Sequence, residues 1–296
     1  MNRVKIFILI YLVFILTSCS IKRMTINATG TFMEDIVDAF FCEEDIIFAE
    51  QAIPANLKLL DGLIKGSNYE NDDLLLKGCK LYGMYGMGFF EDMDTDRKKE
   101  KENLKRASYF YEKAKDYGMK ILQKNNDFKN ALNKDYEEFE KVMVAFSKKD
   151  IEVLFWTSFA WGSYINLNKN SVAAVSELPR VKAMMMRVIE LDGSYFYGLP
   201  HIFMIVYYSM PKMFGGDLEK AKIEYEKINE ISGGKFILAD FFAAKYYATQ
   251  KQDKDLFIKL LHNIEQAEDD IIPEKLFTKV AKKKAEILKL KVDDIF

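Results

Sequence analysis

From Phe40 to the C-terminus, apolar positions recur every three or four residues, the period of a helix face rather than the alternation of a half-buried strand. Glu44 to Ala52 reads as a helix that stops or bends at Pro54, or Pro54 opens the next one, with Leu57, Leu60, Leu63 and Ile64 on its apolar face. Gly66-Ser67-Asn68 ends that run, and Asp72 or Asp73 caps the next, which carries Leu74 to Leu76, Leu81, Tyr82, Tyr85, Phe89 and Phe90. Ala107, Phe110, Tyr111, Ala114, Tyr117, Ile121 and Leu122 mark a further helix. After a polar, broken stretch over 124–135, helices are expected at about 136–147 and over the aromatic-rich Ile151 to Leu167. More are expected at roughly 178–191, 194–209, 217–231, 236–248, 252–266 and 274–290. No segment alternates between hairpin turns, so the expected fold class is all-α, built from antiparallel helix pairs with short links.

Gly83, Gly86 and Gly88 lie inside a helical run, with no preceding strand and no Lys-Ser/Thr after them. They therefore read as close helix packing and not as a phosphate loop. The charged stretch from Asp92 to Lys105 reads as a solvated turn entering a helix. Helix pairs in series call for a repeat test. Ala107-x3-Tyr111-x2-Ala114 places an aromatic between two small residues, the spacing that lets neighbouring helices approach while the ring fills the gap. Ala221-x3-Tyr225-x2-Ile228 and Val181-x3-Met185-x2-Val188 fit more loosely, the latter leading into Leu191-Asp192-Gly193. These resemble tetratricopeptide second helices, so the expected body is a tetratricopeptide-like stack, a single helical-repeat domain over 40–296.

The N-terminus departs from this pattern. Arg3 and Lys5 precede an uncharged run from Ile6 to Leu16, of signal-peptide length and too short to span a bilayer. Leu16-Thr17-Ser18-Cys19 comes next, an aliphatic residue, two small ones and a cysteine, similar to a bacterial lipobox. Residues 1–18 are thus expected to be a cleaved signal peptide, Cys19 the lipidated residue and 19–39 a tether. Two or three acyl chains would anchor the chain stably, since each buried CH₂ contributes about 0.8 kcal/mol. Ser20 after the cysteine points to the outer membrane by resemblance to diderm lipoproteins.

Composition excludes several functions. Loss of Arg3 and Lys5 with the leader takes the formal charge from −2 to −4, which argues against nucleic acid as a partner. Cys42 and Cys79 either pair, as an exported chain permits, or serve as small buried hydrophobes. The two histidines, His201 and His262, lack metal-ligand spacing. No nucleophile triad, H-E-x-x-H or C-x-x-C is readable, and acidic runs such as Glu137, Glu138 and Glu140 read as solvated faces. No metal, cofactor or catalytic residue is expected, and the chain does not read as an enzyme.

One set of motifs is more specific. Trp156-Thr-Ser-Phe-Ala-Trp161-Gly-Ser-Tyr164, then Glu177-Leu-Pro179, then Ile189-Glu-Leu-Asp192 lead to Tyr208-Ser-Met-Pro211-Lys-Met-Phe-Gly215-Gly216-Asp217-Leu-Glu-Lys-Ala221. With Ala52-Ile-Pro54-Ala55-Asn-Leu57, these resemble the T-component lipoproteins associated with tripartite ATP-independent periplasmic (TRAP) transporters. The resemblance implies a periplasmic helical accessory that partners the transporter's substrate-binding protein. It also implies a homo-oligomer, a trimer, with a channel or groove for a ligand. It supplies no catalytic residues. Read from the residues alone, Pro211 ends a helix, Gly215-Gly216 permits positive φ, and Asp217 caps the next helix. Trp156, Trp161 and Tyr164 are open to two readings, helix packing or groove contact. Asn166 and Asn168 read as turn and cap residues. The alternative function is a generic tetratricopeptide-like scaffold in envelope assembly.

Overall fold

The computed structural model describes residue 29 and residues 32–296, and no strand occurs among them. A first helix, α1, runs through residues 32–41. It is followed by α2 (Ile46–Gly66), α3 (Asp72–Phe89), α4 (Arg97–Leu122), α5 (Asn126–Ala131), α6 (Tyr136–Met143), α7 (Ile151–Leu167), α8 (Val172–Ser176), α9 (Leu178–Asp192), α10 (Tyr195–Tyr208) and α11 (Leu218–Ser232). Next come α12 (Leu238–Phe242), a π-helical segment (Ala243–Ala248), α13 (Thr249–Lys251), α14 (Lys254–Gln266), α15 (Lys275–Lys289) and α16 (Val292–Ile295). The expected all-α class is what the structure shows.

Local chemistry sets the boundaries. The side chains of Asp45, Asn71, Asp96, Asn125, Asp135 and Asp217 each accept backbone N–H groups at the first turn of the helix they precede. They satisfy donors that have no partner inside the helix. α2 runs through Pro54 without a break, so the chain takes neither the stop nor the restart open to it there. The polar stretch over 124–135 holds the short α5, which Phe128 pins into the core. The packed body also reaches upstream of residue 40, because Met33 and Val37 of α1 are buried. Cys42 is exposed and Cys79 buried, and both are free.

Packing runs mainly between successive long helices, α2 on α3, α3 on α4, α4 on α7, α7 on α9 and α10 on α11. The three glycines of α3 face their neighbours. A Cβ on Gly86 would lie 3.2 Å from the Tyr111 ring, one on Gly83 3.3 Å from Phe159, and one on Gly88 3.7 Å from Val280. Ala107, Tyr111 and Ala114 are all fully buried, so the small–aromatic–small spacing does pack a ring between helices. Asp61 ties α2 to its neighbours. It accepts from Tyr82 of α3 at 2.9 Å and from Tyr117 and Lys113 of α4 at 2.8 and 2.5 Å. Burial raises the Asp61 pKa, but these three donors outweigh it and hold the carboxyl below its ordinary range. α7 is apolar nearly all round and sits at the centre, touching α3, α4, α9 and α10.

Candidate functional site

α7 and α10 enclose an apolar cavity rather than closing on each other. Its walls include Met84 and Met87 of α3, Phe155, Trp156 and Phe159 of α7, Leu199, Ile202 and Phe203 of α10, Phe242 of α12 and Phe277 of α15. It spans about 680 Å³, counting the part open to solvent. A second cavity of about 850 Å³, counted the same way, is lined by Ile165, Val175, Leu178, Tyr207, Met210, Pro211 and Phe214. The two share Gly162, Asn166, Phe203 and Val206, so they form one groove with an inner and an outer chamber. The lining, apolar and aromatic with a few polar groups, is of the kind that small-molecule sites use.

Two irregularities of the backbone shape the groove. Phe196, Tyr197 and Gly198 take left-handed φ values of 44°, 60° and 82° just before the lining residues of α10. Non-glycine residues in that region persist only where their surroundings hold them. Phe196 packs against Phe41, Phe236 and Phe277, and the Tyr197 hydroxyl donates to Glu274 at 2.8 Å. The π segment brings Tyr246 to the inner chamber, and such single π turns are frequent at functional sites.

The polar groups of the inner chamber lie just past α3, on α7 and on the π segment. Glu91, 8% exposed, lines the inner chamber and accepts from the Tyr111 hydroxyl. Next to it, Asp92 accepts from Lys245 at 2.6 Å, with the Lys284 amine 4.0 Å away. Lys284, almost fully buried, donates to the Glu91 backbone carbonyl. Burial works against the charge on both Asp92 and Lys245. Their mutual attraction prevails, so the carboxyl is held low and the amine high. Lys284 has no such close partner, and burial lowers its pKa to about 8. Asn166 donates to the Tyr246 hydroxyl at 3.0 Å. Lys169 stands at the outer rim, its pKa lowered first by burial and then by the charge of Lys245. This geometry can hold an apolar body and present a few polar groups to it. It brings together no nucleophile–base pair. Among the described residues no cluster of three His, Cys, Asp or Glu is placed to hold a metal ion.

The TRAP transporter T-component family matches residues 42–296, nearly the whole chain. The chain belongs to that family. No curated protein matches it. As a T-component, it is an accessory part of a transporter system. No described helix is long and apolar enough to cross a membrane.

The residues that carried the resemblance fall in different places in this T-component. Trp156 is fully buried, donates its indole N–H to the Tyr195 hydroxyl at 3.1 Å and lines the inner chamber. Trp161 is buried and Tyr164 half-buried, with the Lys115 amine over the Tyr164 ring, and neither lines the groove. Pro211 lines the outer chamber. Gly215 has φ +91°, whereas Gly216 does not enter the left-handed region. Gly216 is instead a point of close approach, since a Cβ there would lie 1.6 Å from the Met210 carbonyl oxygen. Asp217 caps α11, accepting from the Glu219 and Lys220 N–H groups at 3.2 Å. Cys19 and the expected signal peptide lie outside the described residues. Asn168 caps α7, but Asn166 faces the groove. Sequence reasoning passed over Glu91, Lys245 and Tyr246. The available signal was Lys245, a charge inside the apolar run from Phe241 to Ala248.

Proposed function

We propose that this T-component is a membrane-anchored periplasmic accessory of a TRAP-type uptake system that docks the substrate-binding protein and shelters its ligand. Lipid on Cys19 would hold it to the outer membrane, with a tetratricopeptide-like body presented to the periplasm. The family resemblance adds self-assembly into a trimer. The observation that carries the reading is the two-chambered apolar groove with a few polar groups in its wall, in a chain whose family serves a transporter. A groove of this kind suits a solute with a large apolar part. Such a solute is poorly held by water and gains from transfer into a dry chamber, about 25 cal/mol per Å² of apolar surface buried.

The direct test is co-purification. The full-length chain, tagged at its C-terminus and extracted from membranes, should bring down the TRAP substrate-binding protein of its own system. Cys19→Ser should release the chain from the membrane fraction without unfolding the helical body. Recovery of envelope-assembly factors alone would overturn the docking reading, and membrane retention of the Cys19→Ser chain would overturn the anchor.

A further inference from the structure

Among the described residues of the inner-chamber wall, only Glu91 carries a formal charge. The other polar groups there, Ser163, Asn166 and Tyr246, are uncharged, and burial pushes the Tyr246 hydroxyl further from ionising. Glu91 is buried and fixed from several sides. It lies just past α3, where its N–H donates to the Gly86 carbonyl at 3.2 Å. Its own backbone carbonyl accepts from the Lys284 amine, and its side-chain Oε2 accepts from the Tyr111 hydroxyl. The second side-chain oxygen, Oε1, accepts from no described residue. Three amines feel the charge, those of Lys169, Lys245 and Lys284. None of them lines the inner chamber. Lys245 is bound to Asp92 at 2.6 Å, Lys284 is turned to the Glu91 backbone, and Lys169 stands at the outer rim. They leave Oε1 without a donor.

A guest in this chamber has to answer that oxygen. A wholly apolar end would strip water from a buried carboxylate and return no hydrogen bond. A carboxylate or phosphate would set like charges together in a medium of low dielectric. An ammonium supplies both a donor and the opposite charge, and charge-assisted bonds are the stronger kind. The aromatic wall suits the same guest. Tyr111, which holds Glu91, packs edge-on against Phe159 at 6.0 Å, Phe159 meets Trp156 at 5.8 Å, and Phe242 stacks on Tyr246 at 6.1 Å. Ring faces attract a cation that comes within about 6 Å.

We propose that the inner chamber takes the ammonium end of an apolar amine, and that Glu91 selects it by accepting an ammonium N–H at Oε1. The inference rests on the reading that the groove shelters a ligand, and adds to it the sign of the ligand's charge. The test uses the full-length chain in lipid nanodiscs, titrated calorimetrically at pH 7, with empty discs giving each probe's partition into lipid. The probes share one apolar body and differ at the head: phenylbutylamine, phenylbutanol and phenylbutanoate. The amine should bind tenfold or more tighter than the alcohol, the size expected of one hydrogen bond to a charged group, and the acid should bind weakest. Glu91→Gln keeps the shape and removes the charge, and should bring the amine to within about twofold of the alcohol. Circular dichroism reports whether that variant folds, and the ranking on the parent chain tests the sign of the charge without any variant. An acid that binds as tightly as the amine overturns the proposal. So does an amine preference that survives Glu91→Gln in a folded chain. An alcohol that binds as well as the amine overturns it while ligand sheltering stands. If none of the three binds, sheltering fails and this inference fails with it.

Discussion

Lys284 lies almost fully buried, with its amine on the Glu91 carbonyl and 4.0 Å from an Asp92 already paired to Lys245. Its charge is therefore under-compensated, and burial lowers its pKa from 10.5 to about 8. Between those two pH values the unfolded chain holds a proton that the folded chain has released. Unfolding then takes up a proton, and stability rises with pH across that window. Below about pH 8 the full penalty applies, roughly 3 kcal/mol for a shift of this size. Lys284→Met should remove it. Relative to the parent, the variant should be most stable below about pH 8, with its advantage shrinking by roughly 2–3 kcal/mol toward pH 10.5. Urea unfolding of both chains across that range reads the difference, and parallel stability curves would refute it. None of this is visible in sequence. Lys284 belongs to the Lys-Lys-Lys run 282–284, which looks like a solvated face, and only the packing of α15 against α12 and α3 turns one of the three inward.

At the level of elements, most helices were legible because their chemistry is local. A 3.6-residue apolar period and a capping Asp or Asn decide where a helix runs, whatever surrounds it. The departures are the places where tertiary contacts overrule the chain. The left-handed run Phe196-Tyr197-Gly198 is held by rings from α1 and α15, and the π segment by the Asp92–Lys245 pair. Neither partner is near in sequence. The link from α10 to α11 was legible in outline, since proline, glycines and Asp217 sit where a stop, a turn and a cap belong. The glycine roles were not, because Gly216 answers to the Met210 carbonyl rather than to its own φ. Gly216→Ala should therefore destabilise more than Gly215→Ala. The first drives a Cβ into a backbone atom that cannot yield locally, at about 3 kcal/mol or more. The second imposes left-handed strain of about 1–2 kcal/mol. Thermal denaturation ranks them, and a Gly216→Ala chain that melts with the parent would refute the contact.

For the molecule as a whole, the groove exists because α7 and α10 are held apart by residues from α3, α12 and α15, elements up to about two hundred positions distant in the chain. The sequence offered only one of its walls plainly, the aromatic run from Phe155 to Phe159. The polar part of the wall combines Glu91, Asn166 and Tyr246 from three separate stretches. Val206 borders both chambers and is only half-buried, so a larger side chain there would occupy the passage between them rather than the core. Val206→Trp should keep its helical circular dichroism and its melting temperature, since filling empty apolar space is commonly neutral or stabilising. It should weaken uptake of an apolar fluorescent probe by tenfold or more, equivalent to about 1.4 kcal/mol. Asn166→Leu, which removes a polar group while leaving the passage open, should retain binding of a wholly apolar probe. If Val206→Trp folds and still binds the probe with the parent's affinity, ligand sheltering fails as a function of the groove. Co-purification with the substrate-binding protein would then remain to decide docking by itself.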